Sequence, residues 1–193
     1  SPLLMGANMC QMLVATELRK AYNGTPAVDG VSLQLGRGES VGLLGPNGAG
    51  KSTTIAMLST LTRPDSGTVE FEGQNVLADP APVRRAMGVV PQEIALYPEL
   101  TAQENLEFFG GLYGLRGDAL KRAIDDALDL VGLSERRRDQ IKKYSGGMKR
   151  RINIAAALLH DPKIVIMDEP TVGIDPQSRN HILDTVRRLN RER

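Results

Sequence analysis

The sequence predicts an α/β fold with an N-terminal antiparallel β subdomain and an inserted α-helical subdomain, on three observations. Residues 40–61 read as strand, glycine-rich loop and helix. Ile164–Met167 is an unbroken apolar run followed by a helical pattern. Between them, over residues 101–143, apolar positions recur at helical spacing. At 193 residues the chain suits one architecture better than two independent domains.

The bulk composition excludes more than it proposes. A hydrophobic fraction of 41% is too high for a disordered chain, and a net charge of +1 supplies no general attraction to nucleic acid or anionic lipid. The longest apolar runs are strand-length and fall short of the roughly 20 residues that span a bilayer. A lone cysteine, Cys10, excludes an internal disulfide and suits a reducing compartment. Residues 1–11 lack the charged start and long apolar core of a secretory signal and read as a leader or expression remnant ahead of one domain over 12–193.

The elements follow in order. Residues 13–19 and 31–35 are alternating or β-branched stretches set off by Asn23-Gly24 and Asp29-Gly30, both turn dipeptides, so an antiparallel start is expected. Residues 40–44 (SVGLL) read as a strand, and 51–61 as a helix ended by Arg63-Pro64. Residues 68–71 form a short strand, 80–87 a helix, and 88–90 a buried strand stopped by Pro91.

Thr101 followed by Glu104 has the form of a capping box, and Leu106, Phe109 and Tyr113 continue a helix from it. Leu120, Ile124, Leu128 and Val131 make a second apolar stripe, closed by Gly132. Ser145-Gly146-Gly147 opens a third helix through Leu159, stopped before Pro162. The run Ile164–Met167 has the character of a strand buried on both faces, and a helix over 176–189 ends the chain. No internal repeat is present. The basic clusters 136–138 and 149–151 are expected to be solvated helix ends, and His160 to cap or line the end of its helix.

Three segments carry chemistry. Gly45, Pro46, Asn47, Gly48, Ala49, Gly50, Lys51, Ser52 and Thr53 (GPNGAGKST) contain G-x-x-x-x-G-K-[ST] between a predicted strand and a predicted helix. Glycines allow successive backbone N–H groups to converge on a phosphate, the helix start adds positive potential, Lys51 reaches the outer phosphates, and Ser52 offers a hydroxyl to Mg²⁺. The loop defines a triphosphate ligand and leaves the machine open.

Asp168 and Glu169 close the apolar strand at its C-terminal edge, where open α/β sheets bind ligands. Asp168 suits the Mg²⁺ shell, and Glu169 suits polarising an attacking water. The third segment, residues 144–148 (YSGGM), lies just ahead of a helix, between the helical insert and the acidic strand.

In that order the segments resemble the ATP-binding cassette (ABC) family over nearly the whole chain from Leu13. The resemblance implies a P-loop NTPase with a RecA-like core, binding ATP and Mg²⁺. It makes Ser145, Gly146 and Gly147 part of the family's signature motif, usually LSGGQ, from which Tyr144 and Met148 depart. Met148 removes a side-chain amide that could bond to nucleotide. The resemblance also makes Tyr22 an adenine-stacking ring, Gln92 a ligand of Mg²⁺ that senses the transporter partner, and Asp175, in Gly173-Ile174-Asp175, a link between two composite sites. The plain structural alternatives are a turn tyrosine for Tyr22 and a helix start for Asp175-Pro176.

The family has a γ-phosphate histidine some thirty residues beyond the catalytic glutamate; neither His160 nor His181 matches it, so the expectation is a cassette short of its C-terminal part. The further implications are an ATPase and two facing copies that sandwich ATP. They also include a separate membrane-spanning permease subunit on the cytoplasmic face, and an exporter of drugs or other amphiphiles. No nucleic acid is expected. The alternatives are a non-transport ABC ATPase acting on nucleic acid or the ribosome, and a module that binds ATP without turnover.

Overall fold

The structure is a computed structural model and describes residues 11–46 and 48–192. It divides into two compact units, one up to Arg84 and one from Arg85. Residues 1–10, most of the expected leader, lie outside the described part, as does Asn47. Gln11, also placed in that leader, is the first residue of a strand.

The first unit is built on a hairpin of β1 (Gln11–Tyr22) and β2 (Thr25–Gly36), with β3 (Ser66–Phe71) antiparallel to β1 and the two-residue β4 (Gln74–Asn75) at the edge. Asn23 and Gly24 both take positive φ, 50° and 79°, as a tight two-residue hairpin turn requires. The second predicted turn, Asp29-Gly30, does not break the strand. Arg19 pairs with Asp29 and Leu18 with Val31, so Gly30 is an extra residue, a bulge made possible by its φ of 74°. Leu13, Ala15, Leu18 and Val69 are buried, as are Met57 and Leu58 of the helix α1 (Lys51–Leu58).

The strand expected over 40–44 does not form. An apolar run becomes a strand only when its N–H and C=O groups join a ladder; among the described residues 40–44 pair with no strand, and Leu44 is 96% exposed.

The second unit contains α2 (Ala81–Ala86) from its last residues onward and β5 (Met87–Val90), which pairs in parallel with β6 (Ile164–Met167), Met87 opposite Ile164 and Val90 opposite Met167. Among the described residues β6 pairs with β5 alone, so only Ile164 is buried and the rest of the strand is half-buried, not covered on both faces as its composition suggested.

Three helices, α3 (Ala102–Leu112), α4 (Gly117–Leu130) and α5 (Gly146–Leu158), share one core of Leu106, Ile124, Leu128, Ile141, Ile152 and Ala155. The Thr101 capping box is complete: Thr101 Oγ1 accepts from Glu104 N at 3.1 Å, and Thr101 N donates to Glu104 Oε2 at 2.8 Å. Asn105 is fully buried and holds the preceding loop, accepting from Tyr97 N at 2.8 Å and donating to the carbonyls of Tyr97 and Thr101. The last helix, α6 (Pro176–Glu192), places Ile182 against Val90, Ile154 and Leu158. Among the described residues no helix is long and apolar enough to cross a membrane.

Candidate functional site

The glycine-rich loop belongs to the first unit and ends at the N-terminus of α1. Gly48 and Gly50 take φ of 83° and 77°, the left-handed region that a β-carbon penalises. Gly50 is also sterically obligatory, because a β-carbon there would overlap the carbonyl oxygen of Ala27 in β2. The same hairpin ends in Tyr22, whose ring is half exposed with the Lys20 ammonium 5.7 Å from its centroid.

No acidic residue occupies the first turn of α1, and Gly50 caps it without a side chain, so the N–H groups of Ser52 and Thr53 meet no competing side-chain acceptor from the cap. Lys51 Nζ curls back to donate to the carbonyls of Gly45 at 2.9 Å and Pro46 at 3.0 Å. An ammonium held by two loop carbonyls is ready to exchange them for phosphate oxygens.

In the second unit the parallel pairing brings the ends of β5 and β6 together. Asp168 N donates to Val90 O at 3.0 Å, continuing the ladder by one residue. Glu169 follows with a left-handed φ of 45°, unusual for a residue with a side chain. Two residues after β5, Gln92 Nε2 donates to Glu169 Oε2 at 3.3 Å. With its nitrogen turned to Glu169, the carboxamide keeps Oε1 as an acceptor. Within the second unit the carboxylate of Asp168 and the oxygen of Gln92 are hard oxygen donors, a chemistry that fits Mg²⁺; in the first unit the hydroxyl of Ser52 is a donor of the same kind.

Ser145 is the N-cap of α5, its Oγ accepting from Met148 N at 3.2 Å, with Gly146 and Gly147 in the first turn and no acidic residue there. The position of Gly147 leaves no room for a side chain: a β-carbon would overlap Ser178 in the first turn of α6. Asp175 starts that helix, Oδ1 accepting from Ser178 N at 2.8 Å, so the helix-start reading describes its geometry. The backbone and side-chain hydrogen bonds from Ser178 hold its carboxyl below the usual carboxylate range. Tyr144 is buried, and its hydroxyl donates to Arg136 O at 2.6 Å; Met148 packs half-buried against the helical core.

Of the two basic clusters expected to be solvated, Arg136 and Arg138 are exposed, whereas Arg137, Arg150 and Arg151 are drawn into contacts. Arg137 Nη2 contacts Asp125 at 2.5 Å, and Arg151 Nη1 donates to Val131 O at 2.9 Å. Arg150 is only 5% exposed and donates to the carbonyls of Pro91, at 2.6 Å, and Gln92. The signal that identifies it is periodicity: Arg150 shares a helix face with Ile154 and Ala157, both buried. His160 does not cap its helix; its Nε2 lies 3.2 Å from Met87 O, and its ring stacks on Tyr113 at 3.6 Å between centroids.

The structure thus joins Gln92 to Glu169, next in the chain after Asp168, and Gly147 to Asp175, within the second unit, while Tyr22 and the glycine-rich loop belong to the first.

The sequence model of the ABC transporter family matches residues 28–172. The chain is 59% identical over 180 residues to the linearmycin resistance ATP-binding protein LnrL of Bacillus subtilis, covering 93% of this chain and 58% of that protein. It is 44% identical over 185 residues to the daunorubicin/doxorubicin resistance ATP-binding protein DrrA of Streptomyces peucetius, covering 96% of this chain and 56% of that one. It therefore spans little more than half the length of these relatives. Among solved structures, CbiO1 of Clostridium perfringens, part of an ABC transporter complex, superposes with a TM-score of 0.85 at 29% identity, covering 94% of this chain and 74% of that one. An ATP-binding subunit of an ABC transporter superposes with a TM-score of 0.80 at 31% identity, covering 94% and 75%. On the family match across most of its length and the fold shared with these ATP-binding subunits, the chain belongs to the ABC transporter family.

Proposed function

We propose that this chain is the ATP-binding and ATP-hydrolysing part of an ABC exporter, working with a second ATP-binding domain and a separate membrane-spanning subunit at the cytoplasmic face of the membrane. The observation that carries the reading is Gln92 hydrogen-bonded to Glu169 beside Asp168, at the C-terminal ends of two parallel strands. The export assignment rests on the similarity to LnrL and DrrA, both drug-resistance ATP-binding proteins.

Each residue has a task its geometry suits. Lys51 leaves the carbonyls of Gly45 and Pro46 for the β- and γ-phosphate oxygens, and the N–H groups of Gly48, Ala49, Gly50, Ser52 and Thr53 cradle them; Asn47 and Pro46 complete the loop. Ser52 of the first unit, and Asp168 and Gln92 of the second, are the oxygen donors that would hold Mg²⁺, which would neutralise charge on the phosphates. Glu169 orients the attacking water and takes its proton, with Gln92 holding the carboxylate in place. Tyr22 offers its exposed ring to the base.

Ser145, Gly146 and Gly147 present the positive end of α5 to the γ-phosphate bound by a second copy, with Asp175 alongside. Loss of that phosphate on hydrolysis removes the group bridging the copies. For the permease, the exposed Tyr97 and Phe108, edge to face at 5.0 Å, together with exposed Leu112, form an apolar surface suited to a protein partner.

ATP affinity and phosphate release by the parent chain, Lys51→Ala and Glu169→Gln test the reading. Lys51→Ala should lose MgATP affinity, whereas Glu169→Gln should bind MgATP and release phosphate slower by about 10²-fold or more. Undiminished binding by Lys51→Ala would overturn the phosphate-loop assignment, and normal turnover by Glu169→Gln the general-base assignment.

A further inference from the structure

Arg150 lies outside the phosphate loop, the acidic strand end and the segment 145–147. The residue is 5% exposed, and its Nη1 and Nη2 donate to backbone carbonyls, those of Pro91 at 2.6 Å and Gln92, while Nε is buried without a hydrogen bond. Burying an arginine is costly unless its donors are satisfied. A residue whose only task was to fill that space would be aliphatic. One turn further along α5, Asn153 repeats the pattern: Nδ2 donates to Glu93 O and Oδ1 accepts from Ala95 N, both at 3.4 Å. Side chains of one helix therefore hold three successive carbonyls, 91 to 93, and an N–H of the segment leaving β5.

That segment is exposed and has neither helix nor strand of its own. It contributes the Gln92 side chain to the acidic edge, where Nε2 reaches Glu169 Oε2 at 3.3 Å. The backbone of Gln92 is gripped from one side by Arg150, and its side chain engages Glu169 on the other. A shift of that backbone by a fraction of an ångström would exceed the tolerance of the hydrogen bond. The helix that carries Arg150 begins at Ser145, about 7.5 Å away along its axis at 1.5 Å per residue, and an α-helix moves over such a length as a rigid rod.

We propose that Arg150 is a positioning residue, which fixes the backbone of Gln92 to the helix starting at Ser145 and so sets where the Gln92 side chain meets Glu169. The proposal rests on the reading of Gln92 and Glu169 given above. It adds that the Ser145 end of α5 and the Gln92 loop move together, because two donors on one planar guanidinium span adjacent carbonyls. A lysine ammonium is a point donor that cannot reproduce this paired grip.

The test is a double-mutant cycle of Arg150→Met with Gln92→Ala in the full chain, read by ATP turnover and by hydrogen–deuterium exchange over residues 91–96. Arg150→Met is expected to lower kcat about tenfold with KM for ATP within about twofold, and Arg150→Lys to recover part of it. In the Gln92→Ala background the same substitution should cost less than about twofold, since the residue it positions is gone. Exchange over 91–96 should rise in Arg150→Met, while the α3 and α4 peptides keep their protection.

A full tenfold loss in both backgrounds, or unchanged exchange over 91–96, overturns the proposal. Full activity of Gln92→Ala by itself instead overturns the role given to Gln92, a separate failure. If Arg150→Met does not fold, Arg150→Lys carries the same cycle, with the same non-additivity expected and additivity counting against the proposal.

Discussion

Gln92 and Glu169 are 77 residues apart in sequence, and their side chains meet at 3.3 Å, amide nitrogen to carboxylate oxygen. The contact follows from the parallel pairing of β5 with β6, which ends both strands at one edge and leaves the two side chains adjacent.

Gln92→Glu would set a second carboxylate against Glu169. Two like charges about 4 Å apart repel by roughly 1 kcal/mol in bulk water, a lower bound beside the half-buried Glu169. The melting temperature should fall by at least about 2 to 4 °C at low ionic strength and recover part of that loss as salt screens the pair. A thermal-shift series at neutral pH from low to high salt checks this; an equal drop at every salt concentration would point to lost packing instead.

Gly48→Ala and Gly50→Ala should differ although both positions take left-handed φ. Nothing lies within 4 Å of a β-carbon at Gly48, so alanine there costs about 1 to 2 kcal/mol of backbone strain. At Gly50 the same strain is joined by overlap with the Ala27 carbonyl oxygen, and the loss should be clearly larger. Urea denaturation of the two variants without nucleotide gives the comparison.

Gly147→Ala should destabilise the chain through Ser178. The added methyl would overlap the Ser178 side chain, forcing the starts of α5 and α6 apart. The double variant Gly147→Ala/Ser178→Gly should recover part of the lost melting temperature, and no recovery would mean that the glycine serves some other need.

The stability of the fold should fall on mild acidification because of His160. Burial lowers its proton affinity below that of an ordinary imidazole, against the opposing pull of Met87 O and Asp161. Below about pH 6.5 the unfolded chain therefore binds more protons than the folded one, and stability rises with pH there. The contribution is complete above that value and is lost as pH drops through the depressed folded value. His160→Gln should flatten the dependence of melting temperature on pH between 7 and 5, whatever it does to the plateau.

The elements that could be read from the chain are those made by neighbours. Thr101 and Glu104 cap α3 with groups three residues apart, and Asn23-Gly24 turns the hairpin because those two residues tolerate positive φ. Residues 40–44 misled for the opposite reason: their apolar character is a local property, whereas a strand exists only in its ladder. Asp29-Gly30 carried a real turn signal, a glycine at positive φ, which the pairing with β1 converted into a bulge.

By itself the sequence determined that 45–53 is a phosphate loop in form, that Asp168 and Glu169 close an apolar strand, and that Ser145 begins a helix. Left-handed glycines, helix caps and apolar runs are written in consecutive residues, and their physics acts over a few ångströms of one chain segment. Only the tertiary structure decided that Gly147 must lack a side chain, that Gln92 leans on Glu169, and that Arg150 is buried against the loop of Gln92. Those relationships depend on which strands pair and which helices approach. Packing sets them between residues tens of positions apart, and no local preference of either partner encodes the other.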